Sequence, residues 1–305
     1  MKLVISGSSG LIGTALTGQL VTSGHSVTRL VRAPRTSSEP AAIACDPAGG
    51  TIDAAALRRY GPFDGVVHLA GAGIGDKRWS STRKATILRS RTDSTRLLVD
   101  ALTALPSPPS VLISASAIGW YGVRGNESLT ESSTPGTGFL AEVCEAWEAA
   151  ARPAADLGIR TVHLRSGVVL SRRGGALGKL VPLFRFGVGG RTGNGRQYRS
   201  WITLDDEVGV IERCLVDDRL VGPVNATAPQ PATDAELAKA LGSVLHRPSA
   251  LPAPAAAIRL ALGTEMADQL VLGGQRVLPA ALDAVGHRFL HAEVGEAVAA
   301  VLGPG

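Results

Sequence analysis

Short apolar runs alternate with longer helical stripes along the first half of the chain. Lys2-Leu3-Val4-Ile5-Ser6 reads as a strand, Leu11 to Thr22 as a helix, and Ser26 to Val31 as a second strand. Arg32 to Asp46, rich in Pro, Ser and Arg, reads as a loop, and Ala54 to Tyr60 as a short helix before the apolar strand Gly65-Val66-Val67-His68-Leu69. From Arg83 to Leu105 the apolar residues Ile87, Leu88, Leu97, Leu98, Ala101 and Leu102 share one face of a long helix. After the breaker Pro106-Ser107-Pro108-Pro109 come a strand over Ser110 to Ala115, a helix from Gly138 to Leu157 and a strand from Ile159 to Leu164. Strands and helices alternating at this spacing predict an α/β fold with a doubly wound parallel sheet.

Beyond Arg165 the texture changes. A glycine-rich loop, Phe186 to Arg196, and helices interrupted at Pro229-Gln230-Pro231 and Pro252-Ala253-Pro254 predict a smaller, mostly helical C-terminal lobe. The expected division is 1–165 for the main domain and 166–305 for the lobe, with a short C-terminal domain at about 250–300. The boundary is a soft one, because such lobes often return a segment to the main sheet.

The first strand runs straight into Gly7-Ser8-Ser9-Gly10-Leu11-Ile12-Gly13, which opens the first helix. Strand, glycine turn and helix in this order form the start of a dinucleotide-binding Rossmann unit. Gly7 permits the tight turn, Gly10 lets backbone approach a pyrophosphate, and Gly13 lets the helix pack close to the strand. The free N–H groups of Leu11, Ile12 and their neighbours, with Ser9 beside them, then face the phosphates. Leu69-Ala70-Gly71, small residues closing the Gly65 strand, belong to the same expected cofactor site. The second strand ends Thr28-Arg29-Leu30-Val31-Arg32 with no carboxylate before Glu39, so the acidic residue that would hold the ribose of NAD is missing. Arg32 stands where a guanidinium grips a 2′-phosphate, Arg35 adds a second charge, and NADP is the expected cofactor. A solvated loop arginine is the plain alternative for Arg32.

Composition narrows the class further. An apolar share of 45% fits an ordinary globular protein, and a formal charge of +5 from scattered basic residues suits a phosphorylated ligand better than nucleic acid. Cys45, Cys144 and Cys214 lie far apart without metal-ligand spacing, so no metal and no disulfide framework is expected, and a cytoplasmic location follows as the expectation. The chain enters a core strand at once and has no apolar stretch approaching the roughly 20 residues of a membrane span, so neither a signal peptide nor a membrane partner is expected.

Further motifs carry a resemblance. Gly71-Ala72-Gly73-Ile74-Gly75-Asp76-Lys77-Arg78-Trp79, Ser114-Ala115-Ser116-Ala117-Ile118-Gly119-Trp120-Tyr121-Gly122 and Arg165-Ser166-Gly167-Val168-Val169-Leu170 are the longest. With them stand Gly195-Arg196-Gln197, Trp201-Ile202-Thr203-Leu204-Asp205-Asp206, Asn225-Ala226-Thr227-Ala228-Pro229 and Gln275-Arg276-Val277-Leu278-Pro279. On these segments the chain resembles the atypical extended short-chain dehydrogenases/reductases, in the sub-family labelled "epimerase family protein", whose short C-terminal domain has no known function. The resemblance implies an NADP-dependent oxidoreductase or epimerase-like enzyme acting on a small polar carbonyl or hydroxyl compound.

The larger superfamily works with a Tyr and a Lys four residues apart on one helix, and this chain lacks the pair. Its tyrosines are Tyr60, Tyr121 and Tyr198, followed four positions on by Asp64, Gly125 and Ile202. The resemblance leaves Ser116 as the group that polarises a carbonyl and Tyr121 as a replacement proton donor; a turn serine and a packed tyrosine are the structural alternatives. Glu142 and Glu145 are further acid–base candidates, and Cys144 on the same helix reads as a buried thiol. Trp79, with Arg78, and Arg196-Gln197, with Arg199 and Trp201, are candidate substrate contacts or else loop and core residues. Asp205 reads as a helix N-cap. The competing function is a non-catalytic NADP(H)-binding sensor. A small-molecule substrate is the expected partner, in a monomer or a homodimer paired through helices such as that from Arg83.

Overall fold

The structure, a computed structural model, describes residues 1–32, 41–249 and 251–303. Strand β1 (Lys2–Ser6) leads into helix α1 (Leu11–Thr22) and β2 (Ser26–Val31). Next come β3 (Ala42–Asp46), β4 (Thr51–Ile52), α2 (Ala54–Tyr60), β5 (Gly65–His68), α3 (Ser81–Thr103) and β6 (Val111–Ala117). The short β7 (Ser128–Leu129) precedes α4 (Phe139–Asp156), β8 (Arg160–Ser166) and β9 (Val168–Ser171). Beyond these follow α5 (Gly175–Arg185), β10 (Tyr198–Arg199), β11 (Trp201–Thr203), α6 (Leu204–Val216), β12 (Gly222–Ala226), β13 (Ala232–Thr233) and α7 (Asp234–Leu245). The C-terminal segment adds α8 (Ala255–Leu262), α9 (Thr264–Ala267), β14 (Arg276–Val277), α10 (Ala280–Ala284) and α11 (Val294–Leu302).

The main sheet runs β12-β8-β6-β5-β1-β2-β3-β4 and is parallel except for its last pair. Alternate residues of each strand face opposite layers. Leu3, Ile5, Ile113, Val162 and Leu164 meet α1 and α6 through Leu16, Leu20, Val208 and Ile211. Val4, Val66 and Leu112 meet α2, α3 and α4 through Leu57, Leu98, Leu102 and Ala154. A third cluster joins α5, α7 and α11 around Leu177, Phe184, Leu241 and Val298, with Trp201 fully buried among them. The doubly wound sheet and the mostly helical C-terminal part are therefore both present.

Two expectations change. The stretch read as a loop from Arg32 to Asp46 contains β3, parallel to β2. Of Ala42-Ile43-Ala44-Cys45-Asp46 only Ile43 is fully buried, and small residues around one isoleucine do not make a strand pattern. Arg35 and Glu39, weighed for the cofactor, lie outside the described residues. The N-cap of α6 is Thr203, whose Oγ1 accepts from Asp206 N at 3.1 Å, so the helix begins before Asp205, which stays exposed. Beyond the glycine-rich segment, β12 returns to the main sheet beside β8. Among the described residues no helix is long and apolar enough to cross a membrane.

Candidate functional site: a dinucleotide cradle and two buried acids

The turn between β1 and α1 is built for a close approach. Gly7 has φ +69°, and a Cβ there would lie 2.7 Å from the Leu69 carbonyl carbon, so the turn presses on Leu69-Ala70 at the end of β5. At Gly13 a Cβ would collide with the Gly7 carbonyl oxygen and come within 2.8 Å of Ser8 Cα. Gly10 caps α1 without a side-chain bond, its own N–H donating to Gly7 O at 3.0 Å, and both it and Ser9 are exposed. The first turn of α1 carries no acidic residue. Its unpaired N–H groups thus form an open, positive end suited to phosphate, and the cradle fits a dinucleotide. Ile12 packs on the core below, and Leu11 meets the start of α5, 3.3 Å from where a Cβ of Gly175 would sit. Arg32 is exposed at the end of β2. The sequence-predicted cofactor residues of the two turns come together here; Arg32 stands at the neighbouring strand end.

From Gly71 the chain is tied down along its carbonyls. Ala72 N donates to Ser90 Oγ at 3.0 Å, Arg91 donates to Ala72 O at 2.9 Å, Arg83 donates to Gly73 O, and Lys179 of α5 donates to Gly75 O at 2.5 Å. Trp79 spends its indole N–H on Ile74 O at 2.9 Å and sets its ring edge-on to Phe139, 5.0 Å between centroids. It is half-buried in a small apolar cluster and acts first as a brace. Beneath, His68 is buried between Ser6 (2.5 Å) and Ser94 (3.2 Å), and burial pushes its pKa down to about 4, which keeps it neutral.

Ser116 and Tyr121 belong to one buried network. Ser116 Oγ donates to Glu148 Oε1 at 2.7 Å, and Arg165 grips the same carboxylate with two bonds of 2.8 and 2.9 Å. Arg165 also donates to the Tyr121 hydroxyl at 3.0 Å and lies over the Trp120 ring, 4.0 Å from its centroid. Tyr121 has no exposed surface, its hydroxyl donates to Asn225 Oδ1 at 2.7 Å, and burial raises its pKa. Each hydroxyl has one proton, and in both cases it is directed at an internal acceptor rather than an open cleft. Arg165 and Glu148 form a bidentate buried pair, the strongest side-chain geometry available to them. Glu142 and Glu145 are exposed, while Cys144 is buried with its pKa pushed up to about 12.

The glycine-rich loop is likewise braced. Gln197 Nε2 donates to Thr192 O (3.0 Å), Thr192 Oγ1 (2.8 Å) and Val271 O (3.2 Å). Arg199 pairs with Asp234 and donates to Leu270 O and Gly273 O. Arg196 alone of the expected substrate contacts in this loop is exposed.

Two acids escaped the reading of the residues. Glu148 lies on the buried stripe of α4 with Cys144, Trp147 and Ala151, and Glu207 on that of α6 with Leu204, Val208 and Ile211. An acid on an apolar stripe was the available signal. Glu207 has no exposed surface, accepts from Ser166 Oγ at 2.5 Å, and has its pKa raised to about 7 by burial.

Comparison with known proteins places the chain by family and fold. Residues 3–223 match the NAD dependent epimerase/dehydratase family and residues 253–301 a domain of unknown function. The chain is 44% identical over 297 residues to the epimerase family protein Mb2239 of Mycobacterium bovis, covering 97% of this chain and 96% of that one. It superposes on the crystal structure of human epimerase family protein SDR39U1 (isoform 2) with NADPH at a TM-score of 0.89 and 34% identity, over 99% of both chains. The Thermus thermophilus UDP-glucose 4-epimerase complex with NAD, at 18% identity and a TM-score of 0.76 over 100% of both chains, shares the fold.

Proposed function

This chain belongs to the NAD dependent epimerase/dehydratase family, and we propose that it is an NADP-dependent oxidoreductase or epimerase-like enzyme acting on a small polar carbonyl or hydroxyl compound. The carrying observation is the glycine cradle, where Gly7 and Gly13 leave no room for a side chain and the end of α1 stands open. In this reading Gly10 and the N–H groups of Leu11 and Ile12 hold the pyrophosphate, and Leu69, Ala70 and Gly71 close the opposite side. Arg32 binds the 2′-phosphate, a role supported by the NADPH in the human relative's structure. The bound cofactor supplies or accepts a hydride, while the protein orients the substrate and handles its proton. Arg196, exposed in the glycine-rich loop, is the side chain free to meet that substrate. The Ser116–Glu148–Arg165–Tyr121 network fixes the floor on the α4 side.

The reading extends to a cytoplasmic protein, monomeric or homodimeric, with no nucleic-acid or membrane partner; the free cysteines Cys45, Cys144 and Cys214 support a reducing compartment. Parallel fluorescence titrations with NADPH and NADH test the cofactor. The expected outcome is a preference for NADPH that Arg32→Ala weakens about tenfold, the worth of a charge-assisted bond. Binding of NADH alone would overturn the role of Arg32.

A non-catalytic NADP(H) sensor is the second reading, favoured by the engagement of the Ser116 and Tyr121 hydroxyls inside the protein. It predicts cofactor binding without NADPH oxidation across a panel of aldehydes and ketones.

A further inference from the structure

Two serines stand at the carboxyl end of the sheet, on neighbouring strands but facing opposite layers. Ser116 in β6 is opposite Arg165 and turns its hydroxyl to Glu148 of α4. Ser166, one residue further along β8, is opposite Ala117 and turns its hydroxyl to Glu207 of α6, 2.5 Å away. Ser166 and the Gly167-Val168-Val169 that follows are half-buried, so this strand end reaches the surface where open α/β sheets bind ligands. Glu207 is fully buried, and its Oε2 has no hydrogen-bond partner among the described residues. A carboxylate so placed would leave one oxygen bare in an apolar layer, which favours the protonated acid.

The charges around Glu207 do not offset this. Of the elements packed on α6, α1, β6, β9 and β11 contain no charged residue, and β8 carries Arg160, His163 and Arg165. In β8, His163 and Arg165 alternate to the α4 side, and Arg160 lies at the far end, bonded to Cys214 O and Leu220 O. On α6 itself Asp205 is exposed, Asp206 is held by Leu290 N and His291, Glu212 is half-buried further along, Arg213 pairs with Asp217, and the Cys214 thiol is pushed up to about 12 by burial; His287, beyond α6, faces Asp206.

Resting on the dinucleotide reading above, we propose that Ser166 and Glu207 form a proton relay, with Ser166 the hydroxyl that touches the substrate oxygen and Glu207 the acid that resupplies it. In carbonyl reduction the carbon gains a hydride, and with it an electron pair, from a reduced nicotinamide dinucleotide. With Glu207 protonated the Ser166 contact reverses, the acid donating to Ser166 Oγ and freeing the serine proton; Ser116 lacks this option because both oxygens of its partner Glu148 accept from Arg165. The C=O π pair moves onto oxygen, which takes the Ser166 proton; Ser166 Oγ takes the Glu207 proton, and the buried carboxylate left is reprotonated back through Ser166 from water in the cleft. Alcohol oxidation runs the same transfers backwards. With the Glu207 acid raised to about 7, it both holds and yields a proton near neutral pH. The relay takes the place of the absent Tyr and Lys from the opposite layer of the sheet.

The test needs no substrate. Wild type, Glu207→Gln and Ser166→Ala are titrated with NADP⁺ and with NADPH from about pH 6 to pH 8. The oxidised ring carries a positive charge that the reduced ring lacks, so a carboxyl reaching the same cleft ionises more readily with NADP⁺ bound. By linkage, the affinity for NADP⁺ relative to NADPH rises about fivefold across this range in wild type. The 2′-phosphate is common to both ligands and cancels in the ratio. Glu207→Gln flattens the rise, and Ser166→Ala, which removes the bond favouring the anion, moves its midpoint to higher pH. The same transition in all three proteins, or none in wild type, overturns the relay. Failure of wild type to bind either dinucleotide at any pH is a separate result, which refutes the dinucleotide reading and the relay with it.

Discussion

Replacing Glu207 by glutamine changes how stability depends on pH. The carboxyl is buried in the folded protein with its pKa raised from the ordinary 4.5 to about 7. Below the lower value both folded and unfolded chains hold the proton and nothing is lost. As pH rises the unfolded chain releases a proton that the folded chain keeps, so stability falls until about pH 7 and then levels. At about 1.4 kcal/mol per pH unit the gap from 4.5 to about 7 corresponds to about 3 kcal/mol. Wild type alone does not display this slope, because His68 works against it. Burial lowers that histidine from 6.5 to about 4, so its contribution is lost as pH falls through the same window. The informative quantity is the difference between the proteins. Urea unfolding at about pH 5 and pH 8 is expected to show Glu207→Gln gaining about 2 to 3 kcal/mol on wild type between the two conditions. A constant difference would refute the claim that Glu207 is buried as a neutral acid.

Other substitutions test the cradle and the network. Gly13→Ala puts a Cβ against the Gly7 carbonyl oxygen and Ser8 Cα, so the turn must shift; NADPH affinity is expected to fall at least about tenfold in a fluorescence titration. Glu148→Ala leaves Arg165 buried without its carboxylate, and chemical unfolding is expected to show a loss of about 3 to 5 kcal/mol. Tyr121→Phe deletes the hydroxyl between Asn225 and Arg165, costing about 1 to 2 kcal/mol of stability with NADPH binding unchanged. A loss of binding there without a loss of stability would contradict the structural role given to Tyr121.

The parts of the fold that were legible in the sequence are those where one local rule decides the outcome. Gly7, Gly10 and Gly13 follow a strand and open a helix, and at Gly7 and Gly13 the structure leaves no room for a Cβ. β3 was not legible, because Ala42, Ala44 and Cys45 present little apolar contrast and the strand depends on pairing with β2. The site failed in a different way. Ser116 and Tyr121 were identifiable by position, but the direction of a hydroxyl depends on partners that are distant in the chain: Glu148 for the first, Asn225 for the second. Gln197 is similar, since its amide is spent on Thr192 and on Val271, 74 residues away. Glu207 and Glu148 were visible only as acids interrupting apolar stripes, a pattern that marks a buried carboxyl without naming its partner.

Selectivity of the dinucleotide site for the 2′-phosphate is read by titrating the purified chain with NADPH and NADH side by side and repeating both with Arg32→Ala. Tight NADPH binding, weaker NADH binding, and a loss of about tenfold for NADPH alone in the variant are expected. Equal binding of the two cofactors, unaffected by Arg32→Ala, would contradict the assignment of Arg32. Binding of neither would contradict the cofactor site itself.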